Sequence, residues 1–407
     1  MDMHNKAKKL IEMIQTAPVE WKPLGGENGI AIIKTGQAVS KQKISNNVGS
    51  YPVINSGKEP LGYIDEWNTE NDPIGITTRG AGVGSITWQE GRYFRGNLNY
   101  AVTIKNKTEL DVRFLYHILL EFEQEIHALC TFTGIPALNA SNLKKLLIPI
   151  PPLEIQQKIV KILDKFTELE ATLEAELALR KRQYQYYRDF LLDFDNQIGG
   201  GIADGYQCRL KDVVWKTLGE VGKFTYGYIA KAQDAGTARF IRISDINANG
   251  KLIPNGEKYI DVLPECKKYL LKKNDLLMAR TGATYGKTMI FSEDYPAVYA
   301  GFLIKLDFDK NILIPKYYWH FAQGELFWRQ ANKLVSGGGQ PQLNANALKM
   351  IKIPIPPIPE QEKITAILDK FDILTHSISE GLPHEIALRR KQYEYYREQL
   401  LAFPKAA

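Results

Sequence analysis

The side chains best placed to do chemistry are cations beside glycines. Thr78-Arg79-Gly80-Ala81-Gly82-Val83-Gly84 follows an apolar stretch, and Ala279-Arg280-Thr281-Gly282-Ala283-Thr284-Tyr285-Gly286 returns in the second half of the chain. An arginine can fork onto a phosphate or onto the acceptor edge of a base, hydroxyls such as that of Thr281 can donate to phosphate, and glycines let backbone amides come close. Arg79 and Arg280 each lead a glycine-rich loop and read as equivalent under the repeat, with Gly80, Gly82 and Gly282 as the close-approach positions. Lys34, Lys41, Lys43, Arg92 and Arg95 are secondary candidates in the first half. Lys231, Arg239, Arg242 and Lys287 are secondary candidates in the second. The same residues also fit tight hairpins with solvated arginines and plain surface charge. Ser336-Gly337-Gly338-Gly339-Gln340 either contacts a backbone or merely ends a helix.

Bond-making chemistry has no such constellation. His4, His117, His127, His320, His376 and His384 show no HExxH or equivalent metal spacing, and Cys130, Cys208 and Cys266 are too far apart for a metal or redox motif. No metal site and no catalytic residue is expected. Gly80 to Gly84 lacks the Lys-Ser/Thr of a nucleotide loop and the strand-turn-helix frame of a dinucleotide site. An Asn/Asp-Pro-Pro-Tyr/Phe motif, with which amino-methyltransferases grip a flipped base, is missing too. A net charge of +6 permits a polyanionic partner without demanding one. No apolar run is long enough to cross a bilayer, the N-terminus is too polar for a secretory signal, and the cysteine usage suits a reduced, cytoplasmic compartment.

The elements that must position these residues are set by an internal duplication. Ile148 to Phe194 returns as Ile353 to Phe403. Pro149, Pro151, Pro152, Gln156, Lys158, Ile159, Ile162, Leu163, Asp164, Lys165 and Phe166 recur at one constant offset as Pro354, Pro356, Pro357, Gln361, Lys363, Ile364, Ile367, Leu368, Asp369, Lys370 and Phe371. Each copy opens on prolines, which are welcome just ahead of a helix, and continues with apolar residues at steps of three and four. Ile159, Ile162, Phe166, Leu169, Leu173, Leu177, Tyr184 and Tyr187 form one narrow seam. Ile364, Ile367, Phe371, Leu374, Ile378, Tyr393 and Tyr396 form the other. Narrow seams flanked by charge are coiled-coil partners. Each could pair with a partner of its own, but the economical pairing is copy against copy. Roughly 40 helical residues span about 60 Å, a strut rather than a core helix. The second copy carries about four extra residues around Ser379 to His384, close to one turn, with Gly381 and Pro383 expected to break or kink the helix.

Between the helical copies the pattern is short strands and turns. Trp21-Lys22-Pro23-Leu24-Gly25 and Trp215-Lys216-Thr217-Leu218-Gly219 open the two regions. Strands are expected at Tyr51 to Ile54, Ile74 to Thr78, Ala101 to Ile104, Phe240 to Ile243, Asp275 to Ala279 and Phe302 to Leu306, with helices over Phe114 to His127 and Pro315 to Leu334. Gly134-Ile135-Pro136-Ala137-Leu138-Asn139 aligns with Gly339-Gln340-Pro341-Gln342-Leu343-Asn344. Elsewhere the two regions diverge, as two similar frames with different surfaces.

The openings, the paired IPIPP and LDKF segments, and the RKRQYQYYR/RRKQYEYYR helices together resemble the specificity subunits of Type I restriction-modification systems, over nearly the whole chain. The resemblance implies an α+β fold, a pseudo-two-fold internal repeat in which two α/β target-recognition domains with β-rich cores are separated by two long antiparallel coiled-coil helices. The expected division is an N-terminal helix (1–17), a first recognition domain (18–147), a central helical region (148–195), a connector (196–206) containing Gly199-Gly200-Gly201, a second recognition domain (207–352) and a distal helical region (353–407). It further implies a non-catalytic chain of a host-defence DNA-methylation system, each recognition domain reading one half of a bipartite, asymmetric double-stranded target. Modification subunits, two per chain, would dock at the helices and carry S-adenosylmethionine; restriction subunits would bring ATP and Mg. A competing reading is a non-DNA scaffold that joins proteins through duplicated domains and a coiled coil.

Overall fold

The computed structural model describes residues 3–57, 59–194, 212–336 and 340–404; the expected connector and Gly337 to Gly339 lie outside them. The chain divides into two compact units, Met1–Thr172 with Ile386–Ala407, and Leu173–Glu385.

In the first unit, Ala31–Thr35, Asn99–Ile104, Ile74–Thr77 and Ile86–Trp88 form an antiparallel sheet in that order. A second sheet runs Tyr63–Ile64, Val48–Ile54, Arg92–Arg95, Thr69–Glu70, and its Val48–Ile54/Arg92–Arg95 pair is parallel. The second unit repeats the plan. Gly222–Tyr226, Leu303–Phe308, Leu276–Ala279 and Thr288–Ile290 make the antiparallel sheet. Tyr259–Ile260, Ala238–Ile241 and Ala297–Tyr299 make the second, again with one parallel pair. Each duplicated tryptophan opening is a strand paired antiparallel with a proline run, Trp21 opposite Pro149 and Trp215 opposite Pro354. Proline lacks an N–H, which confines it to such two-stranded edges.

The expected strands are present with boundaries moved by one to three residues, and the N-terminal helix spans Met3–Thr16, burying Leu10 and Ile14. The two expected recognition-domain helices are each broken. Val112–Glu121 gives way to Glu123–Ala128, and Pro315–Gln323 to Glu325–Leu334 with Gly324 between them.

The helix Leu153–Leu192 runs unbroken for 40 residues. Its residues to Thr172 belong to the first unit and the rest to the second. In the first unit Phe166 stacks on Tyr396 at 5.3 Å and meets Tyr393 at 6.4 Å, while Glu170 pairs with Arg390 at 2.5 Å. Rising positions on one helix meet falling positions on the other, so Gly381–Leu401 lies antiparallel to it. In the second unit Tyr184 and Tyr187 stack on Phe371 at 6.3 and 5.5 Å, and Tyr184 also meets His376, which gives Ile358–His376 the same antiparallel sense. The helical seam expected from the sequence therefore forms within each unit, copy against copy.

Two expectations need correction. The ends of the long helix are core, not strut: Ile159, Ile162, Leu163 and Phe166 share a cluster with Phe114 and Leu115, and Tyr184, Leu191 and Leu192 share one with Tyr317 and Phe321. Full burial of such side chains contributes about 1.5–3 kcal/mol each. Leu169, Leu173, Leu177, Ile367, Phe371, Leu374 and Tyr393 are only half-buried. Ile378 is off the seam altogether, 76% exposed, because the distal region breaks between His376 and Gly381. Gly381 has φ +74°, and a Cβ there would stand 2.4 Å from the Ile373 carbonyl oxygen, so glycine is required at the break.

Candidate nucleic-acid interface

The two glycine-rich loops share one backbone design. Around the first, Thr77 accepts from the Gly84 amide and donates to the Ser85 carbonyl, as Ala279 accepts from Gly286 and donates to Lys287 around the second. The Gly80 amide donates to Pro136 and the Gly282 amide to Pro341; Leu138 and Leu343 donate back to Thr78 and Arg280. Gly80 and Gly282 both adopt positive φ, +91° and +67°, where a β-carbon is strained. Each loop is thereby laid along a hairpin, Thr131 opposite Ala137 in one unit and Ser336 opposite Gln342 in the other.

This pairing corrects the alignment of the arginines. Arg79 bridges Ala137 and Thr281 bridges Gln342, so Arg79 is equivalent to Thr281, and Arg280 to Thr78. On extended backbone a shift of one residue turns the side chain to the opposite face. Arg79 is exposed and without a side-chain partner among the described residues. Arg280 is half-buried, its guanidinium 5.1 Å from the Tyr226 ring and 5.5 Å from Phe302, with Nε donating to the Gly301 carbonyl at 3.3 Å. Thr281 is buried.

The secondary cations sort by what already holds them. Arg95 is a core residue, 2% exposed, donating to Asn99 Oδ1 at 2.5 Å and to the Asp72 and Tyr100 carbonyls, with the Tyr93 hydroxyl also against it. Arg239 is buried as well and donates to the Tyr295 hydroxyl and the Ile253 carbonyl. Both replace the expected DNA contact with a structural role, since a guanidinium at the centre of such a network is spent inside the domain. Arg242 is chelated by Asp245 through two donors, which raise its pKa against the opposing effect of burial. Lys43 pairs with Glu66 and lies 5.1 Å from the Phe94 ring. Arg92 pairs with Glu70 at 2.8 Å and covers Trp67 at 4.7 Å while remaining half-exposed. Lys34, Lys41 and Lys231 are exposed and Lys287 half-buried, and none has an ion-pair partner among the described residues. The residues that remain able to meet a phosphate are these four lysines, Arg79 and, at the rim of an aromatic pair, Arg280.

Each β-rich region is fixed to the helices by a buried histidine that no sequence motif signals. His117 is fully buried on the helix Val112–Glu121. Its Nε2 stands 2.8 Å from Asp164 Oδ1 and its Nδ1 3.4 Å from the Tyr393 hydroxyl. In the second unit His320 repeats this with Asp369 at 3.0 Å and Tyr184 at 3.1 Å. Arg113 and Lys316 add a cation to the same carboxylates at 2.8 and 2.6 Å. Burial pushes both imidazoles below their ordinary pKa against the pull of the aspartates. Burial would raise the two carboxylates, yet the hydrogen bonds from His and from Arg113 or Lys316 hold them low. Neutral imidazole donating to carboxylate and accepting from phenol satisfies every group, which makes the cluster a clasp rather than a catalytic base. A second clasp is the buried amide of Gln156, which accepts from the Asp111 N–H and donates to the Glu109 and Pro151 carbonyls; Gln361 does the same with Ile314, Ile312 and Pro356. Gln156, Gln361, Asp164 and Asp369 all stood out as repeated residues. Their tertiary partners lie too far off in sequence for any spacing to reveal.

Comparison with known proteins now adds to the geometry. The model of the Type I restriction modification DNA specificity domain matches residues 18–179 and 211–388. A type I restriction enzyme specificity subunit of Haemophilus influenzae is 33% identical, covering 98% of this chain and all of that protein, and one of Escherichia coli is 33% identical over 97% of each. Among solved structures, the S subunit of a Type I restriction-modification system from M. genitalium superposes with a TM-score of 0.61 at 20% identity, covering 96% of this chain and 98% of that one. No helix among the described residues is long and apolar enough to cross a membrane. With two clasped, β-rich repeats on shared long helices and matches that run along nearly its whole length, the chain belongs to the specificity subunits of Type I restriction-modification systems, the non-catalytic component that recognises DNA.

Proposed function

We propose that each unit reads one half of a bipartite, asymmetric double-stranded DNA target, that the helical region sets the gap between the halves, and that adenine-methylating modification subunits dock beside those helices. S-adenosylmethionine would sit on the modification subunits, and ATP with Mg on the restriction subunits. The observation that carries this reading is the contrast between frame and surface. The clasps, the tryptophan ribbons and the antiparallel sheet recur in both units, whereas the loop cations do not: Arg79 answers to Thr281 and Arg280 to Thr78. Two copies of one scaffold with different contact residues suit two different half-sites. Joining two weak readers in one chain makes the second contact intramolecular and strengthens the pair far beyond either alone. Half-sites on one face of a duplex lie about one turn, roughly 34 Å, apart.

The test is methylome sequencing of cells that express this chain with its modification subunit. A split adenine motif is expected, and exchanging residues 20–146 for those of a relative should change one half of it only. A motif that is not split, or two halves unaltered by the exchange, would overturn the assignment.

A further inference from the structure

The second unit contains a cavity of about 550 Å³ between the loop after Ala279, the helix Glu325–Leu334 and the long helices, within the range of small-ligand sites. Lys181, Arg188 and Lys287 line it, with Trp328 and Tyr285 as an aromatic wall. Its one carboxylate, Asp372, is already held by Lys251 at 2.6 Å and His376 at 3.2 Å. Of the three cations, Arg188 pairs with Asp189 at 3.3 Å, while Lys181 and Lys287 have no ion-pair partner among the described residues.

The internal repeat shows that the partners of two of these cations differ between the units. Counting from the clasp residues, Arg188 answers to Arg397 and Lys181 to Arg390. In the first unit Arg397 is held by Glu121 at 2.7 Å and Arg390 by Glu170 at 2.5 Å. The positions of those two glutamates are Gly324 and Thr375 in the second unit. A Cβ built on Gly324 would stand 3.1 Å from Asp189 Oδ1 and 3.7 Å from Arg188 Nε, so the Asp189 carboxylate lies where the first unit's glutamate reaches. Without that glutamate, Arg188 uses Nε on Asp189 at 3.3 Å, and the same Asp189 oxygen also accepts from the Glu325 amide at 3.0 Å. Its terminal nitrogens have no acceptor among the described residues. Lys287, meanwhile, replaces Ser85 at the end of the glycine-rich loop, as the pairing of Thr77 with Ser85 and of Ala279 with Lys287 shows. Relative to the first unit, the two glutamates that pair these cations are absent and Lys287 is added, while Asp372, which stands where the first unit has Thr167, is taken up by Lys251 and His376.

We propose that this cavity binds a phosphate group, gripped by Arg188, Lys287 and Lys181. Taken with the DNA-recognition reading, on which this choice of source rests, the phosphate is a backbone phosphodiester flanking the half-site of the second unit; the same chemistry would hold the phosphate of a free nucleotide with its base against Trp328.

The test uses the full chain with its partner subunits and compares wild type with Lys287→Ser, Gly324→Glu, Lys181→Gln and Lys287→Arg. Gly324 has φ −89°, which any residue adopts, and Lys287→Ser keeps the result readable should the glutamate disturb packing. Calorimetric titration with pyrophosphate should show binding to wild type and Lys287→Arg, and its loss in Lys287→Ser and Gly324→Glu. For a phosphodiester, the slope of log affinity for target duplex against log salt should become shallower by about 0.9 in Lys287→Ser with the recognised motif unchanged. Binding of AMP with an unchanged DNA slope would assign the cavity to a nucleotide. Pyrophosphate, AMP and the salt slope all indifferent to the substitutions would overturn the proposal. Wild type that binds no DNA specifically would instead sink the half-site reading, and the pyrophosphate titration would still decide the cavity.

Discussion

Two arginines of the first unit illustrate how far residue type alone misleads. Arg79 and Arg95 are equally good phosphate ligands on paper, but one is exposed without a partner and the other lies inside a hydrogen-bonded core. Arg79→Ala should leave stability within about 0.5 kcal/mol and weaken DNA binding, with a shallower salt dependence. Arg95→Ala should do the reverse, lowering the thermal midpoint by removing the donors to Asn99, Asp72 and Tyr100, since breaking such a buried charged network costs about 3–5 kcal/mol. Thermal unfolding and salt-dependent binding on the same two variants separate the roles; a stable Arg95→Ala chain with impaired binding would contradict them. The histidine clasps predict a pH dependence. The folded-state pKa of His117 and of His320 lies below the ordinary value of 6.5, so the unfolded chain binds more protons there. Stability from the clasps is then fully present above about pH 6.5 and is lost as pH falls toward the depressed values. His117 faces Asp164, Arg113, Arg397 and Tyr393, and the two arginines oppose its protonation further. The aspartates, also depressed, add their own loss at lower pH, below about 3.8. Midpoints measured from pH 8 to 5 should fall, and replacing both His117 and His320 by Gln should flatten that fall; an unchanged slope would mean that the imidazoles are not the titrating groups.

At the scale of elements, what could be read from the chain was whatever repeats locally. Apolar spacing of three and four gave the long helices, the duplicated proline runs gave their starts, and Gly381 with Pro383 gave the break in the distal one. The strands near Ile74 and Leu276 were visible as short apolar runs. Ile86–Trp88 and Thr288–Ile290 were not, because three residues between glycine turns carry no periodicity. An alignment of the glycine-rich loops on their arginines is off by one residue, since the extra residue between Arg280 and Gly282 leaves the motif looking aligned on its arginine, whereas the backbone aligns it on its positive-φ glycines. The glutamine clasps belong to this scale, as each ties a helix start to the segment before a recognition-domain helix. Gln156→Leu keeps the volume but leaves the Asp111 amide and the Glu109 and Pro151 carbonyls without their partner. Unsatisfied buried groups cost about 1–3 kcal/mol each, so a loss of about 3 kcal/mol is expected, and Gln361→Leu should match it. Denaturant unfolding measures both; a loss below about 1 kcal/mol would mean that water or backbone adjustment replaces the amide.

For the whole molecule, the duplication carried the architecture, and the family resemblance followed from it, while the recognised bases stayed out of reach because readout depends on side-chain geometry and DNA deformation. The long helix offers the most direct test of how the chain couples its two repeats. Its ends are locked into cores through Phe166 in one unit and Tyr184 in the other, and the half-buried stretch between them carries Leu169, Leu173 and Leu177 at steps of four. Duplicating one four-residue step there adds about 6 Å and little over one turn, so the apolar side chains return to nearly the same face and both clasps can re-form. The prediction is that such a variant, read by methylome sequencing, keeps both half-site sequences and lengthens the unspecified gap between them. A two-residue insertion should instead rotate the seam by more than half a turn and abolish modification, because the clasps on either side can no longer be satisfied together. Altered half-sites with an unaltered gap would show that the helix does not set the spacing.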